Sequence, residues 1–170
     1  ASINLPIDNF MKSLEKMSKG AAAPVLSTTI DFITGGDDRL HRDAPRKIRT
    51  VHFTAGVKTL DAHGTKQRVF AMTANESGAR LKISVERPSA PFQIPRDALV
   101  RFKTRMSIPH GNYRIDFTLV RQERFDECGD LKAMRDQLFP RGMRAITPSL
   151  DLTPYNSHEI EIEYVGNTAL

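Results

Sequence analysis

The sequence predicts a mainly β domain of α+β character, a barrel or sandwich of antiparallel strands with a few packing helices. Three observations carry this. From Arg46 onward the chain is mostly short segments in which apolar and polar residues alternate, the period of half-buried strands. Turn chemistry separates them at Ala62-His63-Gly64, at Asn75 to Gly78, at the prolines Pro88, Pro91 and Pro95, and at Pro109-His110-Gly111-Asn112. Helical periodicity is confined to two short stretches.

The first of these opens the chain. Ile7, Phe10, Met11, Leu14 and Met17 recur at helical spacing, with Asp8 as an N-cap and Gly20 as a stop. The two methionines read as core filler on that face. Residues 21–24 read as a linker, 26–33 as a loosely alternating strand and 35–45 as a charged loop. Strands are then expected at 47–55, 67–73, 80–86, 99–107, 113–121 and 158–165. A second, weakly amphipathic helix fits 130–138, with Leu131, Met134 and Leu138 on one face and Pro140 ending it.

Bulk properties exclude several classes. A chain of 170 residues is one domain's worth, long enough for a hydrophobic core without staples. The apolar runs are too short to span a bilayer with a helix, so no membrane partner is expected. No basic segment precedes a long apolar run at the start. Cys128 is the only cysteine; it can form neither an internal disulfide nor a multi-thiolate site, which suits a reducing compartment. The five histidines show no zinc spacing, and no glycine-rich phosphate loop is present. The net charge of +5 fits a polyanion such as RNA or simply a solubilising surface.

Where the charges sit along the strands is more informative, because side chains alternate faces with period two. Arg101, Lys103 and Arg105 share one face of 99–107. Arg114, Asp116 and Thr118 oppose Tyr113, Ile115, Phe117 and Leu119 on 113–121. Glu159, Glu161 and Glu163 share a face against Ile160, Ile162 and Tyr164. A basic strand alone can turn its polar face to water. Three carboxylates about 6.5–7 Å apart along one face repel unless water screens them or a cation offsets them. In a closed barrel these faces line a lumen. Carboxylates there suit Mg²⁺ or Mn²⁺, and Arg and Lys suit phosphate oxygens.

In combination these strands resemble the metal-dependent RNA triphosphatases of the triphosphate tunnel family. Arg101-Phe102-Lys103-Thr104-Arg105 looks like the family's basic strand. Tyr113 to Val120 looks like its aromatic-Arg-Ile-Asp strand, and His158 to Tyr164 like its C-terminal acidic strand. The nearest resemblance is to mRNA capping enzymes of large cytoplasmic DNA viruses. The resemblance spans 81–164 and implies an antiparallel closed β-barrel. It further implies hydrolysis of the γ-phosphate of 5′-triphosphate RNA, the first step of cap formation, with Mg²⁺ or Mn²⁺ as cofactor.

Carried over residue by residue, Glu161 and Glu163 become metal ligands, and Glu159 supports the metal. Asp116 and Thr118 position the attacking water or orient neighbours. Arg101, Lys103, Arg105 and Arg114 contact the triphosphate. Lys82, Glu86 and Arg49 are weaker candidates, and Lys66 or Arg68 could supply a further phosphate-binding cation. Such enzymes act in the host cytoplasm, in virus factories or virions, fused to guanylyltransferase and methyltransferase domains. The family also carries a Glu-x-Glu strand just before the first helix, and none stands near Ala1-Ser2-Ile3-Asn4-Leu5-Pro6. The expectation is therefore a single domain over 1–170, truncated at both ends relative to the family. The alternatives are a non-catalytic tunnel module binding RNA ends or a protein, and a tunnel enzyme acting on nucleotides or polyphosphate.

Overall fold

The computed structural model describes residues 2–19, 25–34, 46–54, 57–139 and 154–166. The expected linker at 21–24, the charged loop at 35–45, Gly20 and Pro140 lie outside the described residues. Among the described residues eight antiparallel strands close into a barrel. In chain order they are β1 (Ser2–Asn4), β2 (Val25–Thr34), β3 (Arg46–Thr54), β4 (Val57–Thr73), β5 (Arg80–Pro88), β6 (Leu99–His110), β7 (Tyr113–Arg124) and β8 (Ser157–Tyr164). Around the ring the order is β1-β5-β4-β3-β2-β6-β7-β8. Strand β1 completes the ring, pairing with β8 over three residues and with β5 at one, Ser2 opposite Arg80. Two α-helices among the described residues join them, α1 (Ile7–Ser18) and α2 (Leu131–Leu138).

The apolar core lies outside the barrel wall. Ile30 and Phe32 of β2, Val51 and Phe53 of β3, Phe102 and Met106 of β6, and Phe117 and Leu119 of β7 are buried on the outer face. Helix α1 covers part of it with Phe10 and Leu14, and Met11 and Met17 pack beside them. The Phe10 ring meets Phe117 edge-on at 5.6 Å. Leu138 of α2 and Tyr155 cover another part, and the Tyr155 hydroxyl donates to the Leu138 carbonyl at 2.7 Å. That bond satisfies a carbonyl at a helix end that would otherwise lack a partner. The outer face of β4 and β5 carries Phe70, Met72, Leu81, Ile83 and Val85, all exposed.

Three local expectations differ. Ala62-His63-Gly64 is not a turn, because β4 runs through it for 17 residues. Gly64 suits a close strand approach: a Cβ there would stand 3.2 Å from the Arg87 carbonyl oxygen, a tight contact. Asp8 is not the N-cap. Pro6 takes that position, and Asp8 sits in the first turn, where its charge faces the positive end of the helix. Strand β1 was not expected, since three residues are too few to show alternation. Elsewhere the chemistry is as expected: Asp130 caps α2 by accepting from the Lys132 backbone N–H at 3.0 Å, and Gly111 turns the β6–β7 hairpin at φ +61°.

Candidate functional site

Strand register assigns each polar side chain to a row across the lumen. One row runs Ser107, Asp116, Glu161, Ser2. The next runs Ser27, Arg105, Thr118, Glu159, Asn4. A third runs His52, Thr29, Lys103, Val120, Ser157, and a fourth runs Thr50, Asp31, Arg101, Gln122. Arg114 stands opposite Glu163. The basic face of β6, the mixed face of β7 and the acidic face of β8 therefore meet on one side of one wall.

The charges pair across strands. Arg101 Nη2 donates to Glu159 Oε1 at 2.5 Å, reaching over β7. Arg114 Nη2 donates to Glu163 Oε2 at 2.5 Å. Asp116 is fully buried and accepts from the Ser107 hydroxyl at 2.6 Å and from Arg114 Nε at 2.9 Å, with Arg105 Nε 3.7 Å away. Arg105 Nε also donates to the Thr118 hydroxyl at 3.2 Å. Burial would lower the Arg114 guanidinium, but the Asp116 and Glu163 carboxylates outweigh it and hold the group above its ordinary value. Two groups stand out against this pairing. The carboxylate of Glu161 makes no hydrogen bond or ion pair among the described residues, though its charge adds to those that raise Arg114, and the Arg101 Nε is a buried donor with no partner among them. Buried donors without partners are uncommon, and one on a basic wall is placed to meet an anion.

Further lumen residues were not singled out from the sequence. Asp31 of β2 accepts from Lys103 Nζ at 2.7 Å and from the Thr50 hydroxyl at 3.0 Å. Burial would raise its pKa; Lys103, then Thr50 and Arg101, lower it below the ordinary value. His52 shares a 3.0 Å hydrogen bond between its Nδ1 and the Thr29 hydroxyl. The signal was present, because Thr29 and Asp31 alternate with Ile30 and Phe32. It was weak beside the triplets on β6 and β8.

Lys82 and Glu86 of β5 take the lumen side, in phase with Arg80 opposite Ser2. Lys66 lies opposite Glu86 with their charges 3.5 Å apart, and Arg68 lies opposite Ser84. Arg49 does not join them. Ile48 and Thr50 take the inward positions on β3, so Arg49 faces out. There it holds Asp61 through two 2.9 Å bonds and stacks 5.4 Å over Phe32. Those bonds hold the Asp61 carboxyl at about 2.

For a divalent cation the fit is partial. Glu161 and Glu163 offer hard oxygen donors, the type Mg²⁺ and Mn²⁺ prefer, and Mg²⁺ commonly takes one or two carboxylates plus substrate phosphates. Strand β1 sets Ser2 and Asn4, not carboxylates, opposite Glu161 and Glu159. Among the described residues no group of three or more His, Cys, Asp or Glu is arranged to hold a metal ion.

No protein-family model matches the chain, and no curated protein sequence matches it significantly. Solved structures do. The RNA triphosphatase Pct1 of S. pombe aligns with a TM-score of 0.52 over 97% of this chain and 61% of that chain, at 16% identity. Pct1 RNA triphosphatase in complex with the Spt5 CTD aligns with a TM-score of 0.52 over 97% and 62%, at 15% identity. The chain therefore has a tunnel fold like that of Pct1, and spans about three fifths of the length of those solved chains.

Proposed function

We propose that this barrel is the core of an RNA 5′-triphosphatase that hydrolyses the γ-phosphate of 5′-triphosphate RNA in mRNA capping. One observation carries the reading: a cation wall and a carboxylate row share one lumen, with the Arg101 Nε a buried donor that has no partner among the described residues. Arg101, Lys103, Arg105 and Arg114 would bind the non-bridging phosphate oxygens, and Lys82 would approach from the opposite wall. Asp116 and Thr118 would hold Arg105 and Arg114 in place, and Glu159 would orient the water. Water adds to the γ-phosphorus in line, the β–γ anhydride bond breaks, and diphosphate-ended RNA and inorganic phosphate leave. Glu161 and Glu163 would be the residues to hold a divalent cation, and Mg²⁺ or Mn²⁺ bound there would supply positive charge against the charge developing on the phosphate oxygens. This reading extends to a capping enzyme of the large cytoplasmic DNA virus type, fused to guanylyltransferase and methyltransferase domains and acting in the host cytoplasm.

The test is phosphate release from triphosphate-ended RNA by the intact protein with Mg²⁺ or Mn²⁺. Activity that falls at least about a hundredfold in Glu161→Ala supports the assignment; retained activity sinks it. Higher turnover of ATP or tripolyphosphate would move the substrate to nucleotides or polyphosphate. The Ser2 and Asn4 positions opposite the acidic row favour a second reading, a non-catalytic module that binds RNA ends or a protein partner. Tight binding of triphosphate-ended RNA without hydrolysis would select it.

A further inference from the structure

We propose that His52, hydrogen-bonded to Thr29 and in the same row as Lys103, is a further polyphosphate-binding residue of the lumen. The inference rests on the polyphosphate reading of the lumen and adds a residue to it. His52 lies in the same row as Thr29 and Lys103, so it extends the basic wall of β6 by two strands. Its Nδ1 is 3.0 Å from the Thr29 hydroxyl, a group that can donate to a neutral imidazole or accept from a protonated one. Either state is served without backbone movement.

Burial and the surrounding charges together decide between the states. From β2 the facing group is Asp31, and from β6 they are Lys103 and Arg105. Strand β4 opposes His52 with Leu60, and Ala62 follows on that face; Lys58 and Asp61 sit on the outer face, where Asp61 is held by Arg49. On β3 itself Thr50 shares the face and is spent on Asp31. Two cations thus stand against one carboxylate that Lys103 already engages at 2.7 Å. Burial lowers the His52 imidazole below its ordinary value; Asp31 opposes that, and Arg105 and Lys103 add to it. A polyphosphate brings several negative charges onto the same wall and reverses the local sign. A proton from water or buffer then adds to Nδ1, and the Thr29 hydroxyl changes from donor to acceptor. Polyphosphate affinity should therefore fall as pH rises through the raised value of the complex.

The experiment follows the histidine ring signals of the intact protein by NMR across pH, with and without tripolyphosphate. His52→Gln identifies the resonance. The expected result is a His52 pKa that rises by about one unit or more on binding, a tenfold gain in proton affinity. His52→Gln should then bind tripolyphosphate up to about tenfold more weakly at pH below the free His52 value, and nearly normally near pH 8.5. Tripolyphosphate binding with an unmoved His52 signal overturns this inference alone. Failure of tripolyphosphate to bind at any pH overturns the lumen reading, and this inference with it.

Discussion

Arg101 and Glu159 sit on strands that are not neighbours, yet their side chains meet at 2.5 Å across β7. Both side chains lie on the lumen face and together span the intervening strand. Both side chains are largely shielded, at 19% and 16% exposure, so each is the other's main compensation. Arg101→Ala should destabilise the fold by about 2–3 kcal/mol, since it leaves a shielded carboxylate unpaired. The double variant with Glu159→Gln should cost less than the sum of the two. Urea unfolding of all three variants checks this; simple additivity would mean the pair is not coupled.

Glu161 should behave in the opposite way. Among the described residues it makes no hydrogen bond or ion pair, although its charge helps hold the Arg114 guanidinium up, and it lies between two like charges on β8. Glu161→Ala should leave stability within about 0.5 kcal/mol of the parent or raise it. It should also abolish any Mn²⁺-induced rise in the thermal midpoint. An equal Mn²⁺ shift in parent and variant would remove Glu161 from the metal site.

Asp116 is the buried anchor for two arginines. Asp116→Asn removes the charge while keeping the shape, and should cost about 2–4 kcal/mol because Arg114 and Arg105 lose their compensation. The fall in the denaturation midpoint measures it. A neutral outcome would mean that Glu163 alone is enough to hold Arg114.

Asp31 gives the fold an acid-sensitive component. Its folded pKa lies below the ordinary value of 3.8, so it adds stability above that value and loses it as pH falls through the folded value. Asp61, held at about 2, acts in the same direction. Asp31→Asn should be less stable than the parent near neutral pH, and the gap should close as pH drops below about 4. Urea midpoints across pH read this directly; a gap that stays constant would show that Asp31 is not titrating as described.

Cys128 should be inert. It is buried, its thiol donates to the Arg124 carbonyl at 3.2 Å, and burial, with Glu123 beside it, pushes the thiol up to about 11. Native protein should react with a maleimide at least about a hundredfold more slowly than unfolded protein. Fast labelling of the folded state would show that the 3₁₀ turn Phe125–Glu127 opens.

Much of the site was legible because alternation is a local property. A residue's parity on a strand follows from its neighbours, so the triplets on β6 and β8 and the Arg-x-Asp-x-Thr face of β7 could be read directly. Parity without register says nothing about which face is inside. That is why Arg49 was misplaced: its strand was expected, but only pairing with Phe32 and His63 puts it on the outer wall. The glycine at 64 was read as a turn for a similar reason, since a close strand approach and a turn leave the same mark on the sequence.

The sequence by itself determined the antiparallel β character, most of the strands, both helices and the charged faces, because each follows from spacing over a few residues. Only the tertiary structure decided closure of the ring through three-residue β1 and the meeting of Arg101 with Glu159. It alone placed Asp31 and His52 on the basic wall and set Ser2 and Asn4 opposite the acidic row. These depend on pairings between residues as far apart as Ser2 and Glu161, and such pairings are fixed by the packing of the whole barrel rather than by any local pattern.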